Sequence, residues 1–195
     1  FIPDLEKTIT YPSKIIKAPT IFFTHDGDRI ERYVTKDFVA IFDISPINPE
    51  AYIGFSSIPE YIYFFDQDKM FLYKKFFNDI IDISKSFGYQ VVLKQKRNDP
   101  RLSSAYNELL LYLKKDKDLI ILPPTISPYY VIDNSFASIA QPFTSVGFYN
   151  ETNKNVAFYD ALEILPSKHQ ESKNINLLIG KENLTSWFQT IKNNN

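Results

Sequence analysis

A chain of 195 residues and 22.7 kDa has material for one sizeable core, which reads as a single α/β domain behind an N-terminal segment. The 22 basic residues are balanced by 23 acidic ones, so no overall field draws the chain to nucleic acid or to an anionic membrane. Cysteine is absent, which excludes disulfides, thiolate nucleophiles and cysteine-based zinc sites.

Apolar runs such as Tyr61-Ile62-Tyr63-Phe64-Phe65 are too short to cross a bilayer, and no basic-then-apolar signal segment opens the sequence. The expectation is a soluble, cytoplasmic protein without a transmembrane segment, with peripheral contact to the inner membrane left open. The first residue is Phe1 and not Met, as it would be in a piece of a longer chain.

Residues 1–36 carry Pro3, Pro12 and Pro19 between short β-prone runs, which suits a linker or edge segment and not a long helix. His25-Asp26-Gly27-Asp28 reads as a turn; a solvated loop is favoured there over a metal site or a general base at His25. Phe38 to Asp43 is a continuous apolar run ending in an acid, the pattern of a fully buried parallel strand. A helix follows, capped at Asp66, with Tyr73, Phe76, Phe77, Ile80, Ile83 and Phe87 at helical spacing and Gly88 as its stop.

Gln90 to Lys94 is a second strand, which completes a βαβ unit and makes the sheet parallel. Ser104 to Leu113 gives a short helix, Lys114 to Lys117 a charged turn, and Asp118 to Leu122 a third strand closed by Pro123-Pro124. Ser127-Pro128 opens another helix. Strands at Phe136–Ala140, Asn155–Asp160 and Leu177–Ile179 precede a final helix through Leu184, Trp187, Phe188 and Ile191. The whole describes a Rossmann-like, doubly wound, mostly parallel sheet over residues 37–195.

Two clusters stand at strand ends. Lys94, Lys96 and Arg97 follow the second strand, with Lys94 and Lys96 on one face by alternation; Pro142, Phe143, Thr144 and Ser145 follow the fourth. Cations, hydroxyls and free backbone N–H groups at one sheet edge can hold a diphosphate, each hydrogen bond to a charged group contributing roughly 1.5–3 kcal/mol. A solvated basic turn and a plain helix cap are the competing readings. Asp43, Asp160 and Glu163 are the nearest acids for ribose or sugar hydroxyls, or for capping. There is no GxGxxG, no GxxxxGK[ST] and no GxSxG, and with only His25 and His169 a Ser-His-Asp triad is improbable. Neither a metal nor a cofactor is called for, because lysines and a helix dipole can neutralise phosphate.

Gln141-Pro142-Phe143-Thr144-Ser145 resembles bacterial surface-polysaccharide biosynthesis proteins that are named for a Pro-Phe-Thr-Ser motif. The ordered segments Leu93 to Arg97, Leu119 to Pro124, Ser138 to Ser145 and Val156 to Asp160 look like the C-terminal, nucleotide-binding half of a GT-B glycosyltransferase, over about residues 37 to 192. Related cytidine-nucleotide transferases carry a Lys-x-His-Pro motif; here Lys96 and Arg97 stand where its histidine and proline would be. The resemblance implies a nucleotide-sugar donor, a saccharide acceptor, and an N-terminal domain, missing here, that supplies the catalytic base. A non-catalytic α/β binding module and a UDP-sugar epimerase-like enzyme are the alternatives.

Overall fold

The five apolar residues Phe38–Phe42 form β1, buried along its whole length at the middle of a sheet. The computed structural model describes residues 29–43, 70–95, 104–142, 155–163 and 175–194. The other strands are β2 (Gln90–Lys94), β3 (Ile120–Leu122), β4 (Ala137–Ala140), β5 (Val156–Asp160) and β6 (Asn176–Ile179), in the order β3-β2-β1-β4-β5-β6. Every pair of neighbours is parallel, with Phe42 opposite Lys94 and Ile41 opposite Ile139 on either side of β1. The expected doubly wound parallel sheet is therefore the one observed, and its near-continuous apolar strands reflect burial on both faces.

Helices α1 (Met70–Ser86), α2 (Ser104–Asp116) and α4 (Gly180–Asn193) cover one face, where Val39, Ile41, Leu93, Phe76, Phe77, Leu109 and Phe188 share a core. The shorter α3 (Pro128–Asn134) covers the other face, packing Val131 and Ile132 on Phe38, Ala40, Val92 and Phe158, together with Ile30 from a single 3-10 turn, Ile30–Arg32. This division follows from handedness. Right-handed connections running from β1 toward β3 lie on one face, so the connection that crosses back from β3 to β4 must lie on the other.

Helix α1 ends where Gly88 was expected to end it. Gly88 adopts φ +91, its N–H reaches the Lys85 carbonyl at 2.9 Å, and the Tyr89 N–H reaches that of Ser84 at 3.1 Å. This double bond pattern is the Schellman stop, and glycine allows it without a Cβ clash. The cap expected at Asp66 lies outside the described residues. Helix α2 runs three residues beyond its expected end, through Lys114 and Lys115 to Asp116. Lysines favour helix, and cations in a last turn meet the negative end of the dipole, so the charged stretch extends the helix before the turn at Asp118, φ 50.

Candidate functional site

The chain leaves β1 toward β2 on one side and returns to β4 on the other, so the carboxyl ends of β1 and β4 stand at the switch point of the sheet. Asp43 follows β1 at this place, and Gln141-Pro142 follows β4. The Pro-Phe-Thr-Ser run thus starts at the switch point of the sheet. Phe143, Thr144, Ser145, Lys96 and Arg97 lie outside the described residues, as do His25 and His169.

Lys94 is the last residue of β2 and is only 5% exposed. Its Nζ donates to the carbonyls of Gln95, at 2.8 Å, and of Pro124, at 3.0 Å, so it ties the end of β2 to the chain beyond β3. Two of its three donors are committed to backbone. Burial pulls its pKa down to about 8, against the opposing pull of the Asp43 charge.

Asp43 is also buried, at 5% exposure, and its N–H bonds the Lys94 carbonyl at 3.1 Å, continuing the ladder of β1 and β2. Its carboxylate accepts the hydroxyl of Tyr106, from the first turn of α2, and the Gln95 side-chain amide donates to the same tyrosine oxygen. Burial first, and the Asp43 charge second, raise the Tyr106 hydroxyl far above its ordinary pKa, so it stays a donor at every working pH. Tyr106 and Gln95 were not singled out in the sequence. The available signal was a tyrosine at a core position of α2, in phase with Leu109 and Leu113, whose hydroxyl requires a partner once buried.

A narrow cleft with a free volume of only about 10 Å3, room for about one water, lies between the ends of β4 and β5, lined by Gln141, Pro142, Asp160 and Ala161 above the rings of Tyr73, Phe76 and Tyr159. Asp160 turns back on its own backbone, accepting the Leu162 N–H at 3.1 Å. Beneath it, Asp79 of α1 collects the Tyr159 hydroxyl at 2.8 Å and the Lys75 ammonium at 2.9 Å, with Lys181 of α4 at 3.6 Å. Lys75 also donates to the Ala161 carbonyl at 2.7 Å. One carboxylate therefore joins α1, α4 and β5, and its lysine partner reaches on to the turn after β5. Glu163 adopts φ 59 and lays its carboxylate over Gly180, the first residue of α4, where a Cβ would stand 2.8 Å from its Oε1.

A much larger groove, about 410 Å3 and more open, lies at the opposite edge among Lys36, Lys85, Tyr89, Gln90 and Asp118. Size favours it, but the physics favours the carboxyl edge: parallel strands and their following helix N-termini direct N–H groups and dipoles there. Among the described residues no group of His, Asp and Glu is placed to hold a metal ion, and no helix is long and apolar enough to cross a membrane.

The fold is similar to that of the Methanocaldococcus jannaschii UDP-GlcNAc 2-epimerase, solved in complex with UDP-GlcNAc and UDP, at a TM-score of 0.53 and 14% identity over 84% of this chain. The S. aureus MnaA-UDP co-structure aligns at a TM-score of 0.44 and 13% identity over 87% of this chain. The chain spans about 40% of the length of each. No curated protein matches. The sequence pattern of one family, described as "Polysaccharide biosynthesis PFTS motif protein", matches residues 5–188, nearly the whole chain and including Pro142 to Ser145, and this chain belongs to that family.

Proposed function

We propose that residues 37–195 form the nucleotide-sugar-binding domain of a glycosyltransferase in bacterial surface-polysaccharide synthesis. One observation carries this reading: the family's signature begins at the carboxyl end of β4, at the switch point, beside the end of β1. Lys96, Arg97, Thr144 and Ser145 face the phosphates in this proposal, and Lys94 anchors the strand end from which the basic pair departs. Phe143 and Pro142 form the adjoining wall. The similarity to an epimerase solved with UDP-GlcNAc and UDP supports UDP as the first nucleotide to try.

In this reading the clamp stabilises negative charge that develops on the leaving phosphate as the glycosyl bond breaks. That role is electrostatic and needs no covalent intermediate. The saccharide acceptor and the catalytic base come from outside these residues, so transfer by this chain alone would contradict the proposal. Calorimetric titration with UDP, CDP, CMP and GDP tests it; the expected result is saturable binding that prefers one base and weakens in Lys96→Ala and Ser145→Ala. The epimerase-like reading is separated by product analysis after incubation with UDP-sugars, because isomerisation or hydrolysis proceeds without an acceptor. A non-catalytic module would show no saturable nucleotide binding.

A further inference from the structure

The groove at the amino edge of the sheet takes no part in the nucleotide reading. Its volume, about 410 Å3, lies within the range of roughly 300–1,000 Å3 that small-molecule sites occupy, and all of its lining residues are described. Lys36 stands shortly before β1, Gln90 opens β2, Asp118 precedes β3, and Lys85 and Gly88 come from the end of α1. Gly88 contributes bare backbone, and a Cβ there would meet no atom within 4 Å.

The polar groups of this groove are oriented and largely uncommitted. The backbone N–H groups of Thr35 and Lys36 converge on one atom of the Gln90 side chain, at 3.1 and 3.2 Å. That atom must be the amide oxygen, so both N–H donors of the amide are left without a partner among the described residues. The Lys36 ammonium likewise makes no hydrogen bond or ion pair there, nor does the Tyr89 hydroxyl, whose ring is held against that of Phe136 with centroids 4.1 Å apart. Lys85 differs. Its ammonium donates to the Lys117 carbonyl at 2.6 Å and stands 3.9 Å from the Asp118 carboxylate, so it is committed to that acid and to the negative end of α1. The Asp118 side chain is 98% exposed, with acceptor capacity to spare.

One uncommitted ammonium beside an amide that presents two donors matches a single carboxylate. A phosphate dianion fits poorly, because α1 and α2 both end at this edge and turn the negative ends of their dipoles toward it. We propose that this groove binds a saccharide bearing one carboxylate, a sugar acid, at a site separate from the nucleotide site. Lys36 and the Gln90 amide take the carboxylate, while Tyr89 and Asp118 meet the ring hydroxyls. Membership of a polysaccharide-biosynthesis family supports a saccharide over other hydroxy acids. The site shares no residue with the carboxyl edge, so it does not depend on the nucleotide reading.

The test is a titration of the whole chain followed by amide proton–nitrogen correlation spectra, with glucuronate, glucose and a glucose monophosphate as probes, on the wild type, Lys36→Met, Gln90→Glu and Lys115→Met. Glucuronate is expected to shift the amides of Lys36, Gly88, Gln90 and Asp118 saturably, with a Kd on the order of 1 mM, which is what about a dozen non-hydrogen atoms reach at an ordinary yield per atom. Glucose, lacking the carboxylate, is expected to bind about tenfold more weakly or less, and Lys36→Met to lose about tenfold for glucuronate, the worth of one charge-assisted hydrogen bond. Gln90→Glu keeps the acceptor for the two backbone N–H groups but turns a carboxylate on the ligand, so binding is expected to be lost from a folded chain. Lys115 is exposed on α2 outside the groove, and its replacement is expected to change nothing. Glucuronate that shifts none of these amides, or binds no better than glucose, would overturn the proposal, as would wild-type affinity in Lys36→Met. Tighter binding of the monophosphate would overturn the carboxylate assignment, and shifts at Gln141 and Asp160 instead would place the sugar at the other edge and overturn the site. Saturating UDP is expected to leave the groove's response to glucuronate unchanged, and a chain that binds glucuronate but not UDP would remove the nucleotide reading alone.

Discussion

Replacing Lys94 by methionine keeps a long unbranched side chain and removes the one buried ammonium at the carboxyl edge among the described residues. Its consequence is a pH dependence whose sign follows from burial. In the folded chain burial pulls Lys94 down to about 8 from its ordinary value of 10.5. Below pH 8 the lysine is protonated in both folded and unfolded chains and contributes no slope. Between about pH 8 and 10.5 the unfolded chain keeps a proton that the folded chain has released, so stability rises with pH by up to about 1.4 kcal/mol per pH unit. Across the full window the gain is at most about 3 kcal/mol. Tyr106 and Tyr159 act in the opposite sense: burial raises both, so the stability they contribute is present below pH 10 and declines above it, as the unfolded tyrosines ionise first.

Those tyrosines, and every other common group, cancel when the two proteins are compared. Urea unfolding of wild type and Lys94→Met at pH 7, 7.5, 8, 9 and 9.5 gives the difference in stability directly. The difference is expected to be constant from pH 7 to 7.5, and to move in favour of the wild type by roughly 1–2 kcal/mol by pH 9.5. A difference flat to within about 0.3 kcal/mol over the whole range would refute the assignment of a buried, depressed Lys94.

Gly180→Ala combines a left-handed backbone, φ +74, with a Cβ 2.8 Å from the Glu163 carboxylate; it is expected to lower stability by about 1–3 kcal/mol, and Glu163→Ala in the same chain should recover the steric part only. Thermal melts of the single and double variants check this, and a neutral Gly180→Ala would mean the α4 entry is not built as described. Tyr159→Phe removes the hydroxyl donor from the buried Asp79 carboxylate and should cost about 1–3 kcal/mol, roughly 2–12 °C in melting temperature for a chain of this size. Tyr159→Phe melting with the wild type would show that Lys75 and Lys181 satisfy Asp79 unaided.

The strands were legible because a parallel sheet buried on both faces leaves unbroken apolar runs, and β2 was expected over the residues it occupies, Gln90–Lys94. The Gly88 stop was legible for a local reason, since the bonds it makes reach back only to Ser84 and Lys85. The polar ties were not. Alternation gives Lys94 a face, but its partner Pro124 lies 30 residues away and nothing local announces a carbonyl there. Asp79 passes for a solvated helix acid until Tyr159, 80 residues on, is brought against it by the β4–β5 pairing. Tyr106 meets Asp43 across 63 residues of chain. Periodicity records which side of an element is buried, whereas these bonds depend on which strand ends become neighbours, a property of topology.

Titration of the folded chain with UDP, CDP, CMP and GDP tests the central claim most directly. Saturable binding selective for one base, and weakened by Ser145→Ala and Lys96→Ala, is the expected result. A folded chain that binds none of the four saturably would contradict the claim that the Pro-Phe-Thr-Ser edge of this sheet is a nucleotide-sugar site.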